Sequence, residues 1–329
     1  MTVTVINEGE LRQLIRLDKE VIAAVEDGFT RLAQGAAIVP PIISVEIPEN
    51  NGEVDIKTAY VRGLDSFAVK IASGFYGNEK RGLPVASGMM VVVSAETGFP
   101  EAVLIDNGYL TQVRTGAAGA IAAKYLAREK VRTAGIIGAG TQGRYQALGL
   151  RQVREFGRLM VYDIDSHKVE TYASEMADAL GVEVIRATSA EEVVRNSDVI
   201  ITTTPSKHPY LEPEWLHPGL HITAMGADAE GKQELYTEVV RRVDLVCCDK
   251  KSQCFVRGEL HHALAAGLIS EQDTIIELGQ LTSGAHPGRR HSSEVTLCDL
   301  TGVGVQDTAI ALLAVGKARK SGVGLQIDA

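Results

Sequence analysis

The sequence predicts an α/β protein of two domains, one built on a parallel sheet covered by helices and one α+β with a mostly antiparallel sheet. Three observations carry that expectation. The chain has 329 residues, more than one average domain holds and fewer than three. Aliphatic residues and 33 glycines outweigh an aromatic share of 5 %, the balance of an α/β protein with tight turns. The apolar period also changes: strand-like segments between Gly-rich turns fill residues 53–106, and strand and helix patterns alternate from Val131.

In chain order, a helix is expected over 18–34, where Val21, Ile22, Val25, Phe29 and Leu32 recur at helical spacing. Strands over 54–61, 67–71 and 89–94 are rich in β-branched residues, and 94–100 reads as a hairpin loop. The Ala-rich stretch 110–126, with glycines at 116 and 119, reads as the helix that hands the chain to the second domain. There, short apolar strands over 133–137, 159–162, 198–202, 221–225 and 244–248 are separated by helices such as 166–180. Repeated β-α units specify a parallel sheet covered on both faces. Ser189 with Glu192 has the spacing of a capping box. After a strand over 294–298, a last helix over 305–320 is expected to return to the first domain. The expected domains are therefore 1–124 with 306–329, and 125–305.

Composition narrows the function. Thirty-three basic and 42 acidic residues leave a net charge of −9, whereas a duplex-binding surface needs a basic excess. Nucleic acid is therefore not an expected partner. No apolar run reaches the roughly 18 residues of a membrane span, and the first residues are acidic where a signal peptide is basic and then apolar. No membrane partner and a cytoplasmic location are expected. Cys247, Cys248, Cys254 and Cys298 lack a CxxC spacing and are expected to be buried, inert thiols, with no metal.

Gly138-Ala139-Gly140-Thr141-Gln142-Gly143 matches GxGxxG between an apolar strand and a probable helix, the context in which the motif binds a dinucleotide. Gly138 allows the tight turn, Gly140 a close approach of the backbone to a pyrophosphate, and Gly143 the packing of helix on strand. The helix N-terminus adds N–H donors and the positive end of its dipole. About twenty residues on, Asp163 closes the next strand, where a carboxylate accepts from a ribose diol and repels a 2′-phosphate. NAD(H) is therefore expected in preference to NADP(H), with Lys168 the residue that counts against it. Thr203, Thr204 and Pro205 follow a later strand at the same edge of this Rossmann-type sheet, and Thr202 is read as a strand residue only. Ile164, Thr115, Met225 and Gly226 complete the expected cofactor contacts. A glycine-rich turn that binds nothing, or a flavin site, are the alternatives.

Three charged residues are candidates for substrate. Lys70 interrupts the apolar strand Phe67-Ala-Val-Lys-Ile71, although a lysine there can also reach to solvent. Arg114 stands where the first domain ends, and a guanidinium suits a carboxylate through two parallel bonds. Asp228, in Gly226-Ala-Asp-Ala-Glu-Gly-Lys232, follows a predicted strand and so faces the cofactor edge, or lies in a surface turn.

Taken together, Lys70, the segment Leu104-Ile-Asp-Asn-Gly-Tyr-Leu-Thr-Gln-Val-Arg-Thr115, Gly135-Ile-Ile-Gly-Ala-Gly-Thr-Gln142 and Gly226–Lys232 resemble the ornithine cyclodeaminase/mu-crystallin family along nearly the whole chain. The resemblance implies a homodimer whose N-terminal sheet domain forms the interface and the substrate pocket. It also implies that Lys70 and Arg114 hold a substrate α-carboxylate and that Asp228 lies beside the reacting nitrogen. Two departures bear on substrate. Lys57 stands at a site similar to one usually filled by Glu, which receives the cationic end of ornithine, and Ser44 stands where many members carry Arg. An ammonium at position 57 repels a diamino acid and attracts an anion. Residues 52–61 and Cys298-Asp-Leu-Thr-Gly-Val-Gly-Val-Gln-Asp-Thr308 look closest to the ectoine-utilisation and iminosuccinate reductase subgroup.

The leading expectation is NADH-dependent reduction of iminosuccinate to aspartate. Lys70 and Arg114 would hold C1, Lys57 and Ser44 would hold C4, and Asp228 would serve the nitrogen. The alternatives are a redox-neutral cyclodeaminase acting on a diamino acid, a ketimine or alanine-type reductase, and a non-catalytic dinucleotide-binding protein. Glu259, Asp307 and the histidines carry no assigned role, Asp307 being a possible cap of the last helix.

Overall fold

The β-branched segments of the N-terminal third pair as one sheet in the computed structural model, which describes residues 2–328. Its strand order is Leu325–Asp328, Thr2–Asn7, Pro100–Ile105, Ala86–Ser94, Ser66–Phe75, Gly52–Val61 and Ala37–Ile38, with Ile43–Ile47 also pairing Gly52–Val61. Pairing is antiparallel except between Thr2–Asn7 and Pro100–Ile105, which run parallel. The turn after Ser94 closes the expected hairpin, with Ser94 N donating to Phe99 O at 2.9 Å. The register sets the two faces of this sheet. Lys57, Lys70, Met90 and Leu104 lie in one row on one face. Ile43, Ile56, Ile71 and Met89 lie in a row on the other.

The helix Gly304–Ser321 packs on strands Gly52–Val61 and Ser66–Phe75. Gly304 makes this possible, since a Cβ there would overlap the Thr58 carbonyl. One turn further on, Thr308 Oγ1 donates to Ala59 O at 2.7 Å and accepts from Ala68 N at 3.2 Å, which fixes the helix over the two strands. Helix Lys19–Ala33, capped by the Asp18 carboxylate on Val21 N, buries Val21, Ile22, Val25 and Phe29 and packs against the same helix. These elements form one unit, the chain up to Arg114 together with the chain from Val303.

Thr115–Gly302 forms the second unit. The division falls within helix Tyr109–Leu126, whose later residue Ala123 belongs to the core beneath the second sheet. That sheet is wholly parallel, in the order Glu183–Arg186, Arg158–Tyr162, Thr133–Ile137, Val199–Thr202, His221–Ala224, Thr296–Asp299, Leu245–Cys248 and Ile276–Glu277. Chain order reverses between Thr133–Ile137 and Val199–Thr202, the switch point at which such sheets bind ligands. The four cysteines are free and buried. One local expectation is corrected: the Ser189 side chain caps Glu192 N, but the Glu192 carboxylate returns to Thr188 N and Oγ1 at 2.7 Å rather than to Ser189 N, so no reciprocal box forms. No helix among the described residues is long and apolar enough to cross a membrane.

Candidate active site

Lys70 is 1 % exposed, and snorkelling is ruled out by what surrounds it. Its ammonium donates to Asp307 Oδ1 at 3.0 Å, and Arg114 Nε lies 3.0 Å from the same oxygen. Each partner comes from a different element: Lys70 from strand Ser66–Phe75, Arg114 from helix Tyr109–Leu126 and Asp307 from helix Gly304–Ser321. Asp307 is fully buried and is no helix cap; Gln306 instead reaches back to Val303 N at 2.7 Å and receives Arg114 Nη1 at 3.4 Å. Burial, then the Arg114 charge, pushes Lys70 down to about 7, against the pull of Asp307. Burial alone would raise Asp307, but the Lys70 and Arg114 charges outweigh it and hold the carboxyl below its usual range.

Two buried cations thus share one carboxylate, and both keep donors in hand. Lys70 uses one of its three N–H groups on Asp307. Arg114, with five, makes one long bond to Gln306, and its Nε faces Asp307 without hydrogen-bond alignment. Buried donors without acceptors are costly, and a carboxylate that brings two oxygens satisfies them. With two cations to one carboxylate, the triad carries an excess positive charge and can take an anion.

On the neighbouring strand, Lys57 lies directly across from Lys70 in register and is 7 % exposed. Asp55 Oδ2 lies 3.7 Å from its ammonium, and Asp55 Oδ1 accepts from the Ser44 hydroxyl. Ser44 therefore braces Asp55 with its hydroxyl, and Asp55, which the sequence did not single out, tempers the Lys57 charge.

In the second unit the glycine motif has the geometry of a phosphate cradle. Gly138 has φ +107° and a Cβ there would strike Thr203, while a Cβ on Gly143 would overlap the Gly138 carbonyl. Gly140, the N-cap of helix Thr141–Val153, faces open space. Asp163 Oδ2 accepts from Ala139 N at 2.8 Å and Oδ1 from Asp165 N at 3.0 Å, leaving about two of its four acceptor sites for a diol. Ile164 beside it is 94 % exposed, a bare apolar surface for a base. Thr203 Oγ1 donates to Gly138 O at 3.0 Å, Met225 N donates to Thr202 O, and Thr115 O accepts from Gln146, which also bonds Gln142. Pro205 is exposed beyond Thr204. These residues fit a dinucleotide.

Glu234 organises this edge, and nothing in its local sequence announced it. Fully buried, it accepts from Thr202 Oγ1 at 2.5 Å, Thr204 N and Oγ1 at 2.7 Å, Tyr210 at 2.9 Å and Gly226 N at 2.8 Å. Thr202 is thus an anchor as well as a strand residue. Glu259 accepts from Glu234 N and Leu235 N, and burial with the nearby Glu234 charge pushes it well up. Asp228 is exposed on the loop after strand His221–Ala224, its Oδ1 accepting from Lys232 Nζ at 2.8 Å. The histidines have local bonds: His262 Nε2 lies 2.8 Å from Lys232 O, and His286 Nδ1 accepts from Gly288 N.

Residues 2–322 match the ornithine cyclodeaminase/mu-crystallin family. Solved structures similar over the whole chain include three NAD(H)-bound proteins. An archaeal alanine dehydrogenase, a dimer with bound NAD, is 35 % identical with a TM-score of 0.92, covering 100 % of this chain and 99 % of that one. The Δ1-pyrroline-2-carboxylate reductase of Thermococcus litoralis, in complex with NADH and L-proline, is 33 % identical with a TM-score of 0.94, covering 99 % and 100 %. The iminosuccinate reductase of Paracoccus denitrificans, in complex with NAD+, is 30 % identical with a TM-score of 0.91, covering 100 % of both. Fold and sites together define an NAD(H)-dependent oxidoreductase acting on carbon–nitrogen bonds. The chain belongs to the ornithine cyclodeaminase/mu-crystallin family.

Proposed function

We propose that this enzyme reduces a small α-imino acid with NADH, and that iminosuccinate, giving aspartate, is its substrate. One observation carries the choice: Lys57 stands across from Lys70 on adjacent strands. Opposed residues have Cβ atoms about 5 Å apart, a separation that the two carboxylates of a four-carbon acid span. Lys70 and Arg114 take C1, and Lys57, braced by Asp55 and Ser44, takes C4. A second amino group at that end would meet the Lys57 ammonium instead, which disfavours a diamino acid.

The cofactor, held by the Gly138–Gly143 turn, Asp163 and the Thr203–Pro205 and Met225–Gly226 loops, supplies hydride to the imine carbon when bound. The chain contributes orientation and charge placement. Asp228, exposed at the carboxyl edge of its sheet, supplies or steadies the proton on nitrogen, directly or through water. Asp163 favours NADH over NADPH because its carboxylate repels a 2′-phosphate. The family resemblance and the dimeric alanine dehydrogenase support a homodimer.

Reduction of the imine of pyruvate to alanine is the second reading. It is favoured by the higher identity to the alanine dehydrogenase and by the nearness of Asp55 to Lys57. NADH oxidation with oxaloacetate plus excess ammonium, beside pyruvate plus ammonium and an NADPH control, separates the two. The four-carbon substrate is expected to win in kcat/KM. Lys57→Met is expected to lower its kcat/KM about a hundredfold, the roughly 3 kcal/mol of losing one partner of a buried charged pair, with little effect on pyruvate. A parent enzyme that prefers pyruvate establishes the alanine reading instead.

A further inference from the structure

The carboxylate site contains a group that binds no substrate in the scheme above yet touches both of its cations. We propose that Asp307 is the positioning residue of this site, its Oδ1 holding the Lys70 ammonium beside the Arg114 guanidinium and favouring its charged form. The inference rests on reading Lys70 and Arg114 as the grip on the substrate carboxylate.

The geometry leaves the role to Asp307. Both cations come within 3.0 Å of the one oxygen, and the three residues are at most 5 % exposed, so solvent does little to separate like charges. The charged groups facing Lys70 come from three directions. Strand Gly52–Val61 brings Lys57, tied to Asp55. Helix Tyr109–Leu126 brings Arg114, and just before it stands Asp106, whose carboxylate accepts from Leu110 N at 2.8 Å and which burial pushes up. Helix Gly304–Ser321 brings Asp307. Among these, Arg114 and Lys57 oppose a charge on Lys70, and Asp307 alone bonds its ammonium. Asp307 Oδ2 has no hydrogen-bond partner. A helix-capping or purely structural aspartate would be expected to use that oxygen; here one oxygen serves two cations whose remaining donors await an anion.

Calorimetric titration of the full chain with oxalate between pH 5 and 9 tests this, beside thermal unfolding midpoints. Parent affinity is expected to fall with rising pH around a midpoint near 7, as Lys70 loses its proton. In Asp307→Asn the midpoint is expected to move about one unit or more toward acid, the size of shift typical of losing an opposite charge in contact. Asp307→Glu is expected to restore it. A structural role would weaken binding or lower the melting point without moving the midpoint, so an unmoved midpoint overturns the proposal, as does absence of oxalate binding in the parent. The titration uses neither imine nor cofactor. A midpoint that shifts in a protein that reduces no imine sinks the reductase reading alone, and an unmoved midpoint in an active reductase sinks the Asp307 assignment alone.

Discussion

Lys70 carries a stability consequence whose sign follows from its burial. Its proton is lost at about 7 in the folded chain and at 10.5 in the unfolded one. Between those values the unfolded state binds more protons, so stability rises with pH across that window, by at most about 1.4 kcal/mol per unit. Below it both states are charged and the slope vanishes. Lys70→Met lacks the titrating group. Chemical denaturation at pH 7, 8.5 and 10 is therefore expected to show a parent-minus-variant difference that moves in favour of the parent as pH rises; a flat difference would contradict the depressed ammonium. The same residue shows what the sequence displays and what it hides. An ammonium inside Phe67-Ala-Val-Lys-Ile71 is conspicuous, and so is an arginine near the end of the first unit. Asp307 is not, because an acidic residue in the first turn of a helix reads as a cap and its partners are hundreds of positions away in sequence. Glu234 is hidden for a related reason: its five donors, from Thr202, Thr204, Tyr210 and Gly226, converge on it only after folding.

The helix Gly304–Ser321 delivers Asp307, and its position depends on a single missing side chain. A Cβ at Gly304 would overlap the Thr58 carbonyl and crowd Ala59 N, both backbone atoms of a strand paired on both sides that cannot swing aside. Gly304→Ala is expected to destabilise the chain by about 1–3 kcal/mol, the usual cost of overpacking, and to weaken oxalate binding because Asp307 moves with its helix. Thermal unfolding and calorimetry check both; an alanine tolerated in both would mean that the helix slides without consequence. Local signals mark elements well where caps are strong. Helix Ser166–Leu180 is bounded by the Asp165 cap and by Gly181 at φ +64°, and its expected limits agree with the structure. Strands Thr2–Asn7 and Leu325–Asp328 escaped notice because each is short and its partner lies at the other end of the chain. The Ser189 box failed on geometry, one residue of slip sending the Glu192 carboxylate to Thr188.

At the scale of the whole molecule, the N-terminal sheet has one chemical face and one apolar face, and the register assigns them without ambiguity. The lysine row and the helix Gly304–Ser321 share the first. On the second, Ile43, Ile56, Ile71 and Met89 run across four strands, with Val45 and Ile105 nearby, and Ile43, Val45, Met89 and Ile105 are 59, 49, 39 and 41 % exposed. A contiguous apolar sheet face of this kind suits a protein partner, and we propose a second copy of this chain as that partner. Two copies related by a two-fold axis would cover it with the same residues on each side, which would also place a rigid partner behind the strands that carry Lys57 and Lys70. The parent is therefore expected to elute at twice its 35.2 kDa chain mass in size-exclusion chromatography with light scattering. The double variant Ile43→Glu, Met89→Glu, altering two exposed side chains, is expected to keep its circular dichroism, run as a monomer and lose most of its activity. A parent that is monomeric at micromolar concentration, or a double variant that stays dimeric, would assign this face to something other than the subunit interface.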